Sequence, residues 1–278
     1  MAGNVVVVFD FDRTIIDNDS DRWVVTEMGL TQIFNELRST LPWTSLMDTM
    51  VKELHARGIS TKDIAECLKK VLLHPSIIAA IKAAHAFGCD LWIISDANMF
   101  FIETILEHHG ILGCFSQVNT NPTYVDEEGR LHISPFHNSS MAPHNCHLCP
   151  SNMCKGLVID KIRGSLPEKK RRLIYVGDGG GDYCPTLRLE GGDFVMPRKN
   201  YPLWNRIFSN REQVNAQVHE WSSGEELEGI LLNLIKKLAV DDAVSHSCSV
   251  HSSECVENAQ FLSEDAFSPT LHVPLQQL

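Results

Sequence analysis

Five apolar residues, Val5-Val-Val-Val-Phe9, run without a polar interruption into Asp10-Phe-Asp12-Arg-Thr14. So short a run, rich in β-branched residues, predicts a central strand of a parallel sheet that is covered on both faces. Similar runs return at Leu91–Ser95, Leu173–Gly177 and Phe194–Met196, with a weaker one at Ser116–Thr120. The stretches between them change to helical spacing. Asn18 to Ser20 offer caps before Trp23-Val-Val, and Pro42 opens Trp43, Leu46, Met47, Met50, Val51 and Leu54 at i, i+3, i+4, i+7. Ser60 with Asp63 has the form of a capping box before Ile64, Leu68, Val71 and Leu72. Ser76–Phe87 is amphipathic and closes on Gly88; Asn98–His109 closes on Gly110. Lys155–Arg163 and Glu225–Leu238 complete the helices, and Thr123–Val125 with Arg130–Ser134 flank Asp126-Glu-Glu-Gly129 as a hairpin.

Strands alternating with helices predict an α/β fold built on a doubly wound parallel sheet. Residues 1–17 and 76–238 would form its core, with a helical cap, 18–75, inserted after the first strand. An insertion there lies over the carboxyl edge of the sheet as a lid. From Ala239 the periodicity lapses, and 239–278 reads as a disordered acidic tail.

Composition narrows this picture without altering it. With 278 residues, 44% apolar and 21% charged, the chain suits one domain with an insertion. The net charge of −11 argues against a nucleic-acid-binding surface. Residues 239–278 hold six of the acids and no Lys or Arg, so −5 remains on residues 1–238, ordinary for an enzyme. The first apolar run lacks a basic leader and stops at Asp10, so neither a signal peptide nor a membrane span is expected. Nine cysteines fit reduced thiols and a soluble cytoplasmic protein better than a disulfide framework. Nothing in the sequence specifies a protein partner.

The candidate chemistry gathers at strand ends, where open α/β sheets bind their ligands. Asp10 and Asp12, one residue apart, put two carboxylates together, which calls for a cation or a shared proton. Ser95 with Asp96 and Asn98 ends the second long strand, and Asp178 ends the Leu173 strand ahead of Gly179-Gly-Gly181-Asp182. Lys155 opens a helix after Cys149-Pro-Ser-Asn-Met-Cys154. In this order the residues supply a nucleophile, a proton donor, a cation for phosphate and carboxylates for a metal.

Asp10-Phe-Asp12-Arg-Thr14, Ser95, Lys155 and Gly177-Asp-Gly-Gly-Gly-Asp182 resemble, in order and spacing, the four motifs of the haloacid dehalogenase superfamily. Thr14-Ile-Ile-Asp-Asn-Asp-Ser-Asp21, Ser95-Asp-Ala-Asn98, Cys149-Pro-Ser-Asn-Met-Cys-Lys-Gly156 and Gly177–Pro185 resemble its phosphoethanolamine/phosphocholine and pyridoxal-phosphate phosphatase-like family. Asp193-Phe-Val-Met-Pro-Arg-Lys-Asn-Tyr-Pro-Leu-Trp204 is similar to the plant branch, which includes thiamine phosphate phosphatase-like proteins and a pyrophosphatase. The resemblance implies a phosphomonoester phosphatase that acts through an aspartyl-phosphate on a small metabolite. Thiamine monophosphate is the first expectation; phosphoethanolamine, phosphocholine or pyrophosphate hydrolysis and an idle phosphometabolite sensor are the rivals. It implies Asp10 as nucleophile, Asp12 as acid and base, and Ser95 and Lys155 on the phosphate. Mg²⁺ would be held by Asp10, the Asp12 carbonyl, Asp178 and Asp182, the last as ligand or outer partner. Asp21 and Asp96 would meet a cationic leaving group, although each could instead cap a helix.

Four further readings are available. Cys146-x₂-Cys149, with Cys154 and His137, His144 or His147, is half of a zinc site whose second Cys-x₂-Cys is missing, and it reads rather as a loop that delivers Lys155. Cys67, Cys89, Cys114 and Cys184 look like buried small apolar residues, and Trp23, Trp43 and Trp92 like packing residues. Arg198-Lys199 could touch phosphate but reads rather as a solvated pair.

Overall fold

The computed structural model describes residues 4–137, 144–164 and 172–259, with side chains to 241. The chain divides between Lys236 and Lys237 into two compact units. In the first, a six-stranded sheet has the order β3-β2-β1-β6-β7-β8. Its strands are β1 (Val5–Phe9), β2 (Asp90–Asn98), β3 (Gln117–Asn121), β6 (Arg172–Gly177), β7 (Phe194–Pro197) and β8 (Gln217–Val218), and every pairing among them is parallel. The expected hairpin forms apart from that sheet, as β4 (Thr123–Val125) against β5 (Leu131–Ile133).

The apolar run of β1 lies at the middle of the sheet, with Val8 between Trp92 and Tyr175. All five of its residues are fully buried, as a strand covered on both faces requires. Val6 and Val8 pack with Ile94, Tyr175, Val158, Ile159 and Leu203. Phe9 turns to the other face, where its ring meets Phe115 edge-on at 6.1 Å between centroids. Because β1 and β6 are central and parallel, their carboxyl ends open side by side, and this juxtaposition builds the site.

Four helices lie between β1 and α5 (Pro75–Ala86): α1 (Ser20–Glu27), α2 (Thr31–Leu37), α3 (Trp43–Ala56) and α4 (Thr61–Leu68). The capping box of α4 forms as its sequence implies. Ser60 Oγ accepts from Asp63 N at 3.2 Å, and Asp63 returns a carboxylate to Ser60 N at 2.9 Å. In α3, Leu46, Met47, Met50, Val51 and Leu54 form the buried stripe, and Asp48 Oδ1 accepts from Ile133 N at 3.0 Å, so this helix rests on the hairpin. After β2 come α6 (Met99–His108), α7 (Lys155–Gly164), the short α8 (Tyr183–Thr186), α9 (Pro202–Ser209) and α10 (Gly224–Ala259).

Two differences from expectation have physical causes. Strand β2 continues past Ser95 to Asn98 because Asn121 at the end of β3 donates its Nδ2 to the carbonyls of Asp96 and Ala97, at 2.8 and 2.7 Å. The last helix does not stop at Leu238 but runs to Ala259. The expected disordered tail is therefore helical over its first part, where no Gly or Pro interrupts the chain. Residues 260–278 of that tail lie outside the described residues.

Candidate active site

The turn after β1 is held by its own backbone. Phe11 O accepts from Thr14, Ile15 and Ile16 N, and Arg13 takes a left-handed φ of 57°. Asp10 N donates to Val176 O at 2.9 Å, extending the β1–β6 pairing by one residue. The Asp10 carboxylate, buried, accepts from Phe11 N on Oδ1 at 2.8 Å and faces Lys155 Nζ at 2.8 Å on the same oxygen.

Lys155 is the first residue of α7 and is itself buried, and its second partner is Asp182 Oδ1 at 2.8 Å. Burial alone would drive the ammonium's pKa down, but Asp10 and Asp182 outweigh it and hold the lysine charged. Asp182 has no solvent exposure and is saturated with donors. Oδ1 also takes Tyr175 OH at 2.7 Å, and Oδ2 takes Asp178 N at 3.1 Å and Gly179 N at 2.8 Å. That fold-back requires the glycine at 177, since a Cβ there would stand 2.7 Å from Asp182 Oδ2.

Oxygens of Asp10, Asp178 and Asp182 lie within 4.8 Å of one another. Burial and then the charge of Asp182 push Asp10 well above the usual carboxylate range, with Lys155 opposing. Burial, again followed by Asp182, pushes Asp178 up to about 6. Three buried carboxylates against one ammonium are an excess of negative charge, and all their donor atoms are hard oxygens. Both facts fit Mg²⁺. Because Asp182 already satisfies four donors, Asp10 and Asp178 are the carboxylates with room for an ion, and Asp182 fits the role of outer partner. Thr14 Oγ1 leans on Asp178 Oδ1 at 3.4 Å.

On the other side of the cleft stands Asp12, half-buried, with Oδ1 accepting from Ser20 N at 2.8 Å. Removal from water, then the charges of Asp19 and Asp21, raise its pKa well above normal. Asp21 is buried in the first turn of α1; Trp43 Nε1 donates to its Oδ2 at 2.7 Å and Asn98 Nδ2 approaches Oδ1 at 3.5 Å. Burial raises its pKa to about 7 against the pull of the Trp43 bond. The cleft encloses about 260 Å³, at the small end of metabolite pockets. Seven aspartates line it, 10, 12, 19, 21, 96, 178 and 182, against only Arg13 and Lys155.

A family model described as Putative Phosphatase matches residues 5–235. The chain belongs to this Putative Phosphatase family. Over 240 residues it is 57% identical to a thiamine phosphate phosphatase-like protein of Arabidopsis thaliana, covering 86% of this chain and 98% of the relative. Over 253 residues it is 51% identical to inorganic pyrophosphatase 2 of the same plant, covering 90% and 91%. A HAD family hydrolase from Salmonella enterica serovar Typhi superposes with a TM-score of 0.55 at 18% identity, covering 81% of this chain and 70% of that one, a likeness of fold. The expected haloacid dehalogenase-type fold and the phosphatase class both stand.

In this member of the Putative Phosphatase family, Asp10, Asp12, Lys155, Asp178, Asp182, Asp21 and Asp96 come to one cleft. Ser95 is buried and is not among the residues that line the cleft; its Oγ accepts from Ala97 N at 3.2 Å. Neither Asp21 nor Asp96 caps a helix. Asp19 caps α1 through Arg22 N at 3.0 Å, and Asn98 caps α6 through Phe101 N at 3.1 Å.

Several participants were not legible as such. Trp43 is no mere packing residue, since it lines the cleft and fixes Asp21. Tyr175 is a phenol in the middle of an apolar strand, and its hydroxyl holds Asp182; the isolated polar atom in that run was the available signal. Asp19 lines the cleft and pairs with Arg13 at 3.2 Å. Arg198 is not solvated. It donates to Arg13 O at 2.7 Å and Asp17 Oδ1 at 2.6 Å and lies over the Tyr201 and Trp221 rings, bracing the turn that carries the first motif.

Proposed function

We propose that this phosphatase hydrolyses small phosphomonoesters bearing a cationic group, thiamine monophosphate first among them, through an aspartyl-phosphate on Asp10. The observation that carries the reading is the polarity of the cleft. A buried ammonium is aimed at Asp10 at one end, and Asp21 and Asp96 stand with an indole at the other.

An Asp10 oxygen attacks phosphorus, and the ester P–O bond breaks as Asp12 gives its proton to the leaving alcohol. Burial and the charges of Asp19 and Asp21 raise the pKa of Asp12 and so favour the protonated form that this step needs. Water then attacks the acyl phosphate and loses a proton to Asp12, phosphate departs, and the Asp10 carboxylate is restored. Lys155 and the Ser95 hydroxyl hold phosphoryl oxygens, and Lys155 limits the repulsion between phosphate and Asp10. Asp10, Asp178 and the Asp12 carbonyl would hold Mg²⁺, which supplies charge neutralisation to the phosphoryl group. Asp182 sets the position of Lys155.

Asp21 and Asp96 would receive the cationic part of the substrate, with the helices of residues 18–75 acting as a lid that keeps water from the site. Inorganic pyrophosphate is the second reading, favoured by the identity to inorganic pyrophosphatase 2. It has no cation for Asp21 and would leave that end of the cleft unused. The reading extends to a cytoplasmic setting, in accord with the free thiols of Cys67, Cys89 and Cys114. Among the described residues no helix is long and apolar enough to cross a membrane.

The test is phosphate release with Mg²⁺ over thiamine monophosphate, phosphoethanolamine, phosphocholine, pyridoxal phosphate, pyrophosphate and a sugar phosphate. Preference for thiamine monophosphate over the sugar phosphate supports the reading. A flat profile, or one led by the sugar phosphate, contradicts it.

A further inference from the structure

Cys184 was expected to be an isolated buried thiol, and the Cys146/Cys149/Cys154 stretch a loop. The fold brings all four sulfurs together. Cys146 and Cys149 lie on the loop before α7, Cys154 immediately precedes that helix, and Cys184 is the second residue of α8. Their Sγ atoms lie within 4.8 Å of one another, with Cys184 3.5 Å from Cys146 and 3.7 Å from Cys154. These separations are far from a disulfide, whose sulfurs stand about 2.05 Å apart. They match the edges of a sulfur tetrahedron, roughly 3.8 Å when each Zn–S bond is about 2.3 Å.

The cluster is largely enclosed. Cys154 and Cys184 are buried, while Cys146 and Cys149 are partly covered. The backbone N–H groups of Gly156 and Leu157 face the sulfurs of Cys184 and Cys154 respectively, as outer groups that orient metal ligands do. Position 156 admits no side chain here, because a Cβ would meet Cys184 Sγ at 2.6 Å. Of the three histidines that could have completed the set, His144 is engaged within the loop itself. His144 Nδ1 accepts from Cys146 N at 3.3 Å and its Nε2 pairs with Pro150 O at 2.9 Å, so the ring shapes the loop.

We propose that Cys146, Cys149, Cys154 and Cys184 bind one zinc ion in a closed tetrathiolate site that fastens the Lys155 segment to the Asp182 segment. Four protein ligands leave no open position, so the ion is structural. Soft thiolate donors select zinc over the magnesium suited to the oxygen cluster nearby. On binding, the four thiols release their protons, leaving a complex of net charge −2. Cys154 adjoins Lys155, and Cys184 lies two residues beyond Asp182. The ion would therefore hold in place the two backbones whose side chains form the 2.8 Å Lys155–Asp182 pair. The proposal stands apart from the substrate reading, since it concerns no group that touches substrate.

The test is elemental analysis of the full chain, expressed in zinc-replete medium and purified without chelator. One zinc per chain is expected, retained in Asp178→Asn and lost in Cys146→Ser/Cys149→Ser. A thiol-blocking mercurial should release that zinc from the wild-type protein, and cobalt put in its place should show the thiolate charge-transfer and tetrahedral ligand-field bands. The two wild-type measurements decide the matter even where the cysteine variant does not fold. Folded wild-type protein without zinc overturns the proposal. So does zinc that survives the cysteine variant and leaves with Asp178→Asn, because it would then sit on the aspartates. Iron found in place of zinc overturns the ion assignment.

Discussion

The two ends of the cleft are made in different ways. At the phosphate end, Asp10, Lys155, Asp178 and Asp182 stand at or beside the ends of the central strands β1 and β6. Each carboxylate oxygen of Asp182 has two donors. At the leaving-group end, Asp21 depends on an indole from α3 and a distant amide from Asn98, and Asp96 is exposed. The first is a saturated, rigid charge network, and the second a sparse one carried largely by helices inserted after β1. The contrast teaches where chemistry and selectivity reside. On the proposed function, bond making would be fixed by the sheet, and choice of substrate left to helices that can change without disturbing it.

Four changes break or sharpen that contrast. The largest effect belongs to Asp10→Asn, which should lower kcat by roughly four orders of magnitude or more while circular dichroism stays native. Lys155→Met should follow, because it leaves Asp10 and Asp182 buried without their cation. A loss of about 3–5 kcal/mol is expected for removing one partner of a buried pair, read as a lowered midpoint in urea along with lost turnover. At the other end Asp21→Asn should spare both stability and kcat. It should raise KM for thiamine monophosphate about tenfold, the scale of one charge contact, and leave KM for pyrophosphate unchanged. An equal effect on both substrates would erase the distinction between the two ends. Cutting the chain after residue 238 should have the smallest effect, with activity held to within about twofold if the second unit is independent of catalysis.

Asp21 also gives the leaving-group end a pH dependence. Burial raises its pKa from 3.8 to about 7, so the native state holds this proton more tightly than the unfolded chain does. Its contribution to stability is therefore greatest below pH 3.8 and is lost as pH rises to about 7. Affinity for a cationic substrate should move the opposite way, strengthening as Asp21 ionises through the same range. Asp21→Asn should flatten both slopes, which urea titrations and KM measured against pH would show.

The legible parts of this molecule are those set by local spacing. The β1 run, the stripe of α3, the Ser60–Asp63 box and the strand-end aspartates are patterns within a few residues. What sequence could not place were contacts between distant segments. Trp43 reaches Asp21 across 22 positions, Tyr175 turns its hydroxyl under a loop, and Cys184 meets Cys146 across 38. Strand β8, two residues long, carries too little periodicity to be seen. Arg198 looked solvated because nothing local predicts that the first-motif turn lies across it. The continuation of α10 was missed for another reason: apolar spacing lapses after Leu238, yet a chain free of Gly and Pro can stay helical without it.

The central claim is that Asp10 makes and breaks a bond to phosphorus. The direct measurement is rapid acid quenching of a turnover with thiamine monophosphate carrying radiolabelled phosphate, followed by peptide mapping. The account predicts a hydroxylamine-labile label on the peptide that contains Asp10, formed and lost at rates compatible with turnover and missing from Asp10→Asn. Turnover that proceeds with no label on that peptide, or with label on another residue, would contradict it.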